Sequence, residues 1–174
     1  PKEFIASSMT MDISNQNKLS EFYEELKRLN VEVTRPDINE CYADFRTNDN
    51  KFYYALGGIK AVGYQAITNI INERITNGKF KSINDFINRV NPKDINKLQL
   101  EGLVKAGVFD EFDKDRGKIF NSIPKIIQQI KNINDDKDNH QANLFADDND
   151  SRTEFEFLQS TSWKQKELLS EEFK

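Results

Sequence analysis

Apolar residues recur at three- and four-residue spacing through most of the first 130 positions, so the chain reads as a succession of short amphipathic helices. Leu19, Phe22, Tyr23, Leu26 and Leu29 predict a helix over residues 15–29, with Ser14 or Asn15 as its cap. Val31 and Val33 then alternate with polar residues up to Arg35-Pro36-Asp37, which predicts a short strand ended by proline. "RTNDNKFYYAL" holds a turn-prone Asn-Asp-Asn followed by a β-prone run, the pattern of a small hairpin.

From residue 64 the helical spacing returns. Ile67, Ile70 and Ile71 form one face, and Asn77-Gly78 ends it with the residue that adopts left-handed φ most easily. Ser82 with Asp85 resembles a capping box ahead of Ile83, Phe86, Ile87 and Val90, although Asp reaches less far than the usual Glu. Leu98, Leu100, Leu103 and Val104 mark another helix stopped at Gly107. A last helical stretch runs from about Asp115 to Ile130, with Pro124 kinking or restarting it. Residues 132–162, rich in Asn and Asp and without periodicity, are expected to form a solvated linker. The predicted class is mainly α with a small β element near the centre.

Charge divides along the same lines. Residues 45–131 carry 15 Lys and Arg against 9 Asp and Glu, whereas 1–44 carry 5 against 9 and 132–174 carry 5 against 11. A basic middle between acidic ends is the asymmetry expected of a module that meets nucleic acid, and it is equally compatible with ordinary surface variation. The 174 residues contain neither a long apolar run nor a basic-apolar leader, so no membrane span or signal peptide is expected. One cysteine, Cys41, excludes an internal disulfide and fits a reducing, cytoplasmic setting, where it reads as a small core residue. The chain stops inside the amphipathic pattern "KELLSEEFK", as a piece of something longer would.

Composition excludes most catalytic chemistry. With one histidine, His140, and one cysteine, neither a zinc cluster nor a Cys/His dyad is available, so no catalytic or metal-ligating residue is assigned. Asp113 and Asp115 alternate like a magnesium-binding pair, but they precede a predicted helix, where carboxylates serve free N–H groups.

The informative stretch is "LGGIKAVGYQAITNIINER". Gly57, Gly58 and Gly63 surround Ile59 and Val62 just ahead of a helix, the layout of a helix-hairpin-helix motif. Small residues let the backbone approach a phosphate, and the first N–H groups of the next helix point outward unpaired. Gly58, Lys60, Ala61, Val62 and Gly63 are thus candidate DNA-backbone contacts, with Lys60 the adjacent cation and Val62 packing inward. Ala61 stands where the motif ordinarily has Gly, and a positive φ there would cost roughly 1–2 kcal/mol. "LEGLVKAGVFDEFDKDRGKIF" looks like a degenerate second copy, with Lys105, Gly107, Arg116 and Lys118 as candidates. Asp110, Glu111, Asp113 and Asp115 crowd the same edge, so this copy is expected to be chiefly structural.

Four motifs in order, "PKEFIASSMTMD", "RPDIN", "ALGGIKAVG" and "LEGLVKAGVFD", make the whole chain resemble the bacterial replicative DNA polymerase III alpha subunit. The resemblance implies a fingers end over 1–44 and a tandem helix-hairpin-helix domain over 45–131 that binds duplex DNA and the sliding clamp. It further implies a linker over 132–162 and a lead-in to an oligonucleotide-binding domain over 163–174. Gln141, Leu144 and Phe145 in "QANLF" then match a clamp-binding pentapeptide, Gln141 at a pocket edge and the apolar pair in its floor. The polymerase aspartates and their magnesium would lie upstream, so the segment itself would need no cofactor. Its partners would be duplex DNA, the clamp and other polymerase III holoenzyme subunits, with no membrane. Two rivals stay open on the sequence: a stand-alone helical interaction scaffold, and a helix-hairpin-helix nuclease or glycosylase, for which no acid or base is visible.

Overall fold

Four of the helices in this chain start where the sequence supplies a side-chain cap. The computed structural model describes residues 2–11, 15–48 and 50–142. After α1 (Lys2–Met11), α2 (Gln16–Arg28) opens with Asn15 accepting the Lys18 N–H on its side chain. Three short strands come next: β1 (Glu32–Val33), β2 (Arg46–Asn48) and β3 (Lys51–Tyr53). β2 and β3 form the expected antiparallel hairpin, and β1 joins β3 on its other edge in parallel, giving the order β1-β3-β2. A 3₁₀ turn at Leu56–Gly58 leads through residues 59–63 into α3 (Tyr64–Asn77). Then come α4 (Ile83–Arg89), a second 3₁₀ turn (Pro92–Asp94), α5 (Lys97–Lys105), α6 (Arg116–Asn121) and α7 (Ile123–Ala142).

Ser82 Oγ accepts the Asp85 N–H, as a capping box requires. The Asp85 carboxylate, too short for the cap residue's own N–H, takes that of Lys81 one position earlier. Gly78 ends α3 at φ 88°. Pro124 stands in the first turn of α7, where its missing N–H costs nothing, so the proline restarts the helix after Ser122.

Two apolar cores form, and they interleave. Ile5, Ala6, Met9 and Leu26 meet Phe45, Phe52 and Ala55 in the first. The second gathers Ile38, Cys41 and Ala43 with Leu56 and the inner faces of α3 through α7, including an edge-to-face chain of Phe80, Phe86 and Phe109. Both hairpin segments thus share one core, but the boundary expected at residue 44 does not separate two units. The 38–43 segment belongs to the second core, and the β2–β3 hairpin returns to the first. Arg74, 6% exposed, ties the segment down: one of its guanidinium nitrogens donates to the carbonyls of Ile38 and Cys41 at 2.7 and 2.6 Å.

Three other expectations need correction. The periodicity reading has no element over residues 2–11, where α1 buries Ile5, Ala6 and Met9. Tyr23, Leu29 and Leu98, assigned to apolar faces, stay exposed. The linker expected from residue 132 does not begin before the end of α7 at Ala142. Ile133 prolongs the stripe of Ile126 and Ile130, Gln128–Asn132 and Asn134–Asp138 bond one turn apart, and Lys137 Nζ donates to the Asn88 carbonyl at 3.0 Å.

Burial has a consequence for alkaline stability. It raises the Cys41 thiol above its ordinary value of 9.0, the hydrogen bonds from its surroundings only partly opposing this, and it raises Tyr54 likewise. Both groups therefore favour folding fully below their unfolded values, and that contribution is lost as pH rises above them. The denaturant midpoint is expected to hold between pH 7 and 8 and to fall by pH 10, less steeply in Cys41→Ala; equal slopes would remove Cys41 as a cause.

Candidate nucleic-acid interface

The site begins at the 3₁₀ turn. Leu56 and Gly57 donate their N–H groups to the carbonyls of Tyr42 and Ala43 at 2.8 and 3.0 Å, lacing the entry of the hairpin to the 42–43 segment. A side chain at Gly57 could not fit, since its Cβ would lie 2.8 Å from the Ala43 oxygen. The element ahead of this hairpin is therefore one 3₁₀ turn rather than a full helix. Val62 N–H closes the loop onto the Ile59 carbonyl at 3.1 Å, and both apolar side chains lean onto the second core. Lys60, Ala61 and Gly63 face outward.

Ala61 lies at φ 67°, so the strain foreseen for a non-glycine residue at this position is present. Ala61→Gly is expected to stabilise the fold by about 1 kcal/mol, the relief of left-handed strain less the added freedom of the unfolded chain. A thermal melt measures this, and an unchanged or lower midpoint would show that the turn holds Ala without cost.

The helix start beyond the loop is the unusual part. α2, α4, α5 and α6 each receive a side-chain oxygen on an early N–H, from Asn15, Ser82, Asn96 and Asp115. α3 does not: its cap is Gly63, φ −72°, with no side chain to offer, and its first internal bond runs from Ile67 N to Gly63 O. The N–H groups of Tyr64, Gln65 and Ala66 consequently have no acceptor among the described residues. Unpaired donors and the positive end of a 14-residue helix dipole meet at an exposed loop that also carries Lys60, an arrangement suited to a phosphate. The Tyr64 hydroxyl donates to Asp44 at 2.7 Å, which raises its pKa and fixes the ring at the rim.

The second hairpin, between α5 and α6, is built differently. Gly107 is buried at φ 79°, and Arg116, 6% exposed, turns its guanidinium inward onto Asp110 and the Lys105 carbonyl, with contacts of 2.8 to 3.2 Å. Lys118 pairs with Asp113, and Lys105 Nζ lies 5.4 Å from the Phe120 ring centre. Arg116 and Gly107, candidate DNA contacts by sequence, are thus interior parts of the turn, and Lys118 is neutralised by its neighbour. Burial alone would raise the Asp113 carboxyl, but the bonds from Lys118 and the Asp115 N–H outweigh it and hold it below the ordinary range. Asp115 caps α6 through the Lys118 N–H at 3.0 Å, so the Asp113–Asp115 pair is spoken for locally. Among the described residues no group of three or more His, Cys, Asp or Glu is arranged to hold a metal ion.

The surface charge is also less basic than the count suggests. Arg74 and Arg116 are interior, and Arg89 bridges Glu73 and Asp85 over the Phe80 ring. Lys79 pairs with Glu40. Lys60 has no such partner among the described residues. Of the clamp-binding candidates, Gln141 belongs to the last turn of α7 by its backbone, and Leu144 and Phe145 lie outside the described residues.

The helix-hairpin-helix motif family matches residues 30–119, which span both hairpins and more than half of the chain. The chain belongs to the helix-hairpin-helix family. Over 172 residues, 99% of its length, it is 34% identical to the DNA polymerase III subunit alpha of Caulobacter vibrioides, of which it covers 15%. It is 39% identical over 146 residues to the subunit of that name from Borreliella burgdorferi, covering 84% of this chain and 13% of the relative. A third, from Chlamydia trachomatis, is 38% identical over 116 residues. The chain thus corresponds to one segment of those alpha subunits. Among the described residues no helix is long and apolar enough to cross a membrane.

Proposed function

We propose that this chain is the non-catalytic part of a replicative DNA polymerase alpha subunit that grips the backbone of duplex DNA and ties the polymerase to its sliding clamp. The observation that carries the DNA half is the exposed 59–63 loop opening onto the one helix start, of the five whose caps are described, that lacks a side-chain oxygen. Main-chain donors recognise phosphate without reading bases, which suits a protein that must travel along any sequence. The clamp half rests on "QANLF" coming after the hairpins: Leu144 and Phe145 are an apolar pair in a polar stretch and would enter an apolar pocket, with Gln141 at its edge. Burial of the two contributes roughly 1.5–3 kcal/mol each, offset by the ordering of the peptide, so the segment alone binds modestly. Joint engagement with DNA raises the effective concentration of each contact. Nucleotidyl transfer, with its magnesium, would belong to the rest of the full-length chain, as would contacts with other holoenzyme subunits.

Duplex binding measured across a salt series tests the first half. Affinity is expected to fall linearly with salt on logarithmic axes, and Lys60→Ala to lower both affinity and the slope, the latter by about one. Salt-independent or absent binding would favour the rival reading of a helical protein-interaction scaffold. Converting Gln141, Leu144 and Phe145 together to Ala should weaken clamp binding at least tenfold and leave DNA affinity unchanged; an intact clamp affinity would end the second half.

A further inference from the structure

We propose that Gln99 of α5 is a further phosphate-contacting residue of the first hairpin, carried there by the close approach of α5 at Gly102; the inference rests on the DNA-binding reading above. Gln99 and Gly102 are three residues apart and share one face of α5. Gly102 lets that face come down on the loop: a Cβ there would lie 2.6 Å from the Lys60 carbonyl oxygen, with Val62 and Ile59 methyl groups at 3.5 and 3.6 Å. One turn earlier, Gln99 Nε2 lies 2.9 Å from where a Gly63 side chain would begin. That point has chemical meaning. A cap residue's side chain sets out from there to reach the second and third N–H groups of its helix, and at α3 those are the unpaired donors. The Gln99 amide therefore borders the space an incoming phosphate oxygen would fill. Its backbone N–H is used by Asn96, whereas its side-chain N–H₂ has no acceptor among the described residues. α5 thus adds a neutral donor to a cradle otherwise built from main-chain amides and one lysine.

A neutral donor and a cation leave different signatures. Gln99→Leu should weaken duplex binding about tenfold, the loss of one hydrogen bond to a charged group. Its salt slope and melting temperature should be those of the native chain, since no counterion-releasing charge is removed. Gln99→Lys should recover the affinity and steepen the slope by about one. If Gln99→Leu binds as tightly as the native chain while Lys60→Ala binds less tightly, the inference fails and the hairpin reading survives. If neither variant alters binding, the hairpin reading itself falls. A joint loss of affinity and melting temperature in Gln99→Leu would make Gln99 a prop for the fold and would also overturn the proposal.

Discussion

Gly63→Asp is expected to bind duplex DNA about a hundredfold more weakly than the native chain while remaining at least as stable. Gly63 already has the extended backbone of a cap residue, φ −72° and ψ 129°, so Asp fits without strain. Its Cβ would crowd the end of the Gln99 side chain, which can swing aside, and would make an ordinary contact with the Ala66 methyl group at 3.8 Å. The new carboxylate would accept the N–H groups that α3 leaves open and sit at the positive end of its dipole. Together with the reduced freedom of the unfolded chain, this contributes roughly 0.5–1 kcal/mol of stability. The same carboxylate would occupy the phosphate position and repel what remains. A hundredfold loss corresponds to about 2.8 kcal/mol, within reach of a like-charge pair a few ångströms apart at a protein surface. Fluorescence anisotropy against labelled duplex, paired with a thermal melt, gives both numbers. Unchanged affinity in a well-folded variant would mean that the α3 start does not touch DNA.

Gly107→Ala should destabilise the fold by about 3–4 kcal/mol. Two costs coincide there. The backbone at φ 79° strains any L side chain by roughly 1–2 kcal/mol, and the added Cβ would lie 2.4 Å from Arg116 Nη2 and 2.8 Å from Asp110 Oδ2. The methyl group can be housed only by prising the guanidinium from its carboxylate, and Arg116 is too enclosed for water to replace that partner. Urea denaturation measures the difference. A change below 1 kcal/mol would show that the turn relaxes freely. Because the second hairpin is an internal brace, the folded fraction of Gly107→Ala should hold DNA within about twofold of the native chain.

These two glycines show what pattern reading reaches. Its local rules worked where the deciding atoms lie within a turn of one another: Asn15, Ser82 and Asp115 cap as their spacing implies, and Gly78 stops α3. The 59–63 loop was legible for the same reason, strained Ala61 included. Arg116 misled because nothing local distinguishes a guanidinium aimed at DNA from one folded back on Asp110 six residues away. Arg74 went unremarked, since its carbonyl partners on Ile38 and Cys41 lie more than thirty residues upstream. Gln99 and Gly102 stayed invisible on similar grounds: their importance comes from which loop α5 lies against. For α7, Ile133 was the overlooked signal, one apolar position amid Asn and Asp that the core nevertheless uses.

The chain passes between its two cores three times, between Val33 and Ile38, between Ala43 and Phe45, and from Ala55 to Leu56. Three strands of covalent rope, cinched by Arg74, make a poor swivel. A tug on a duplex held at the first loop would be felt almost undamped by the opening helices, so grip and body should travel as one stiff strut.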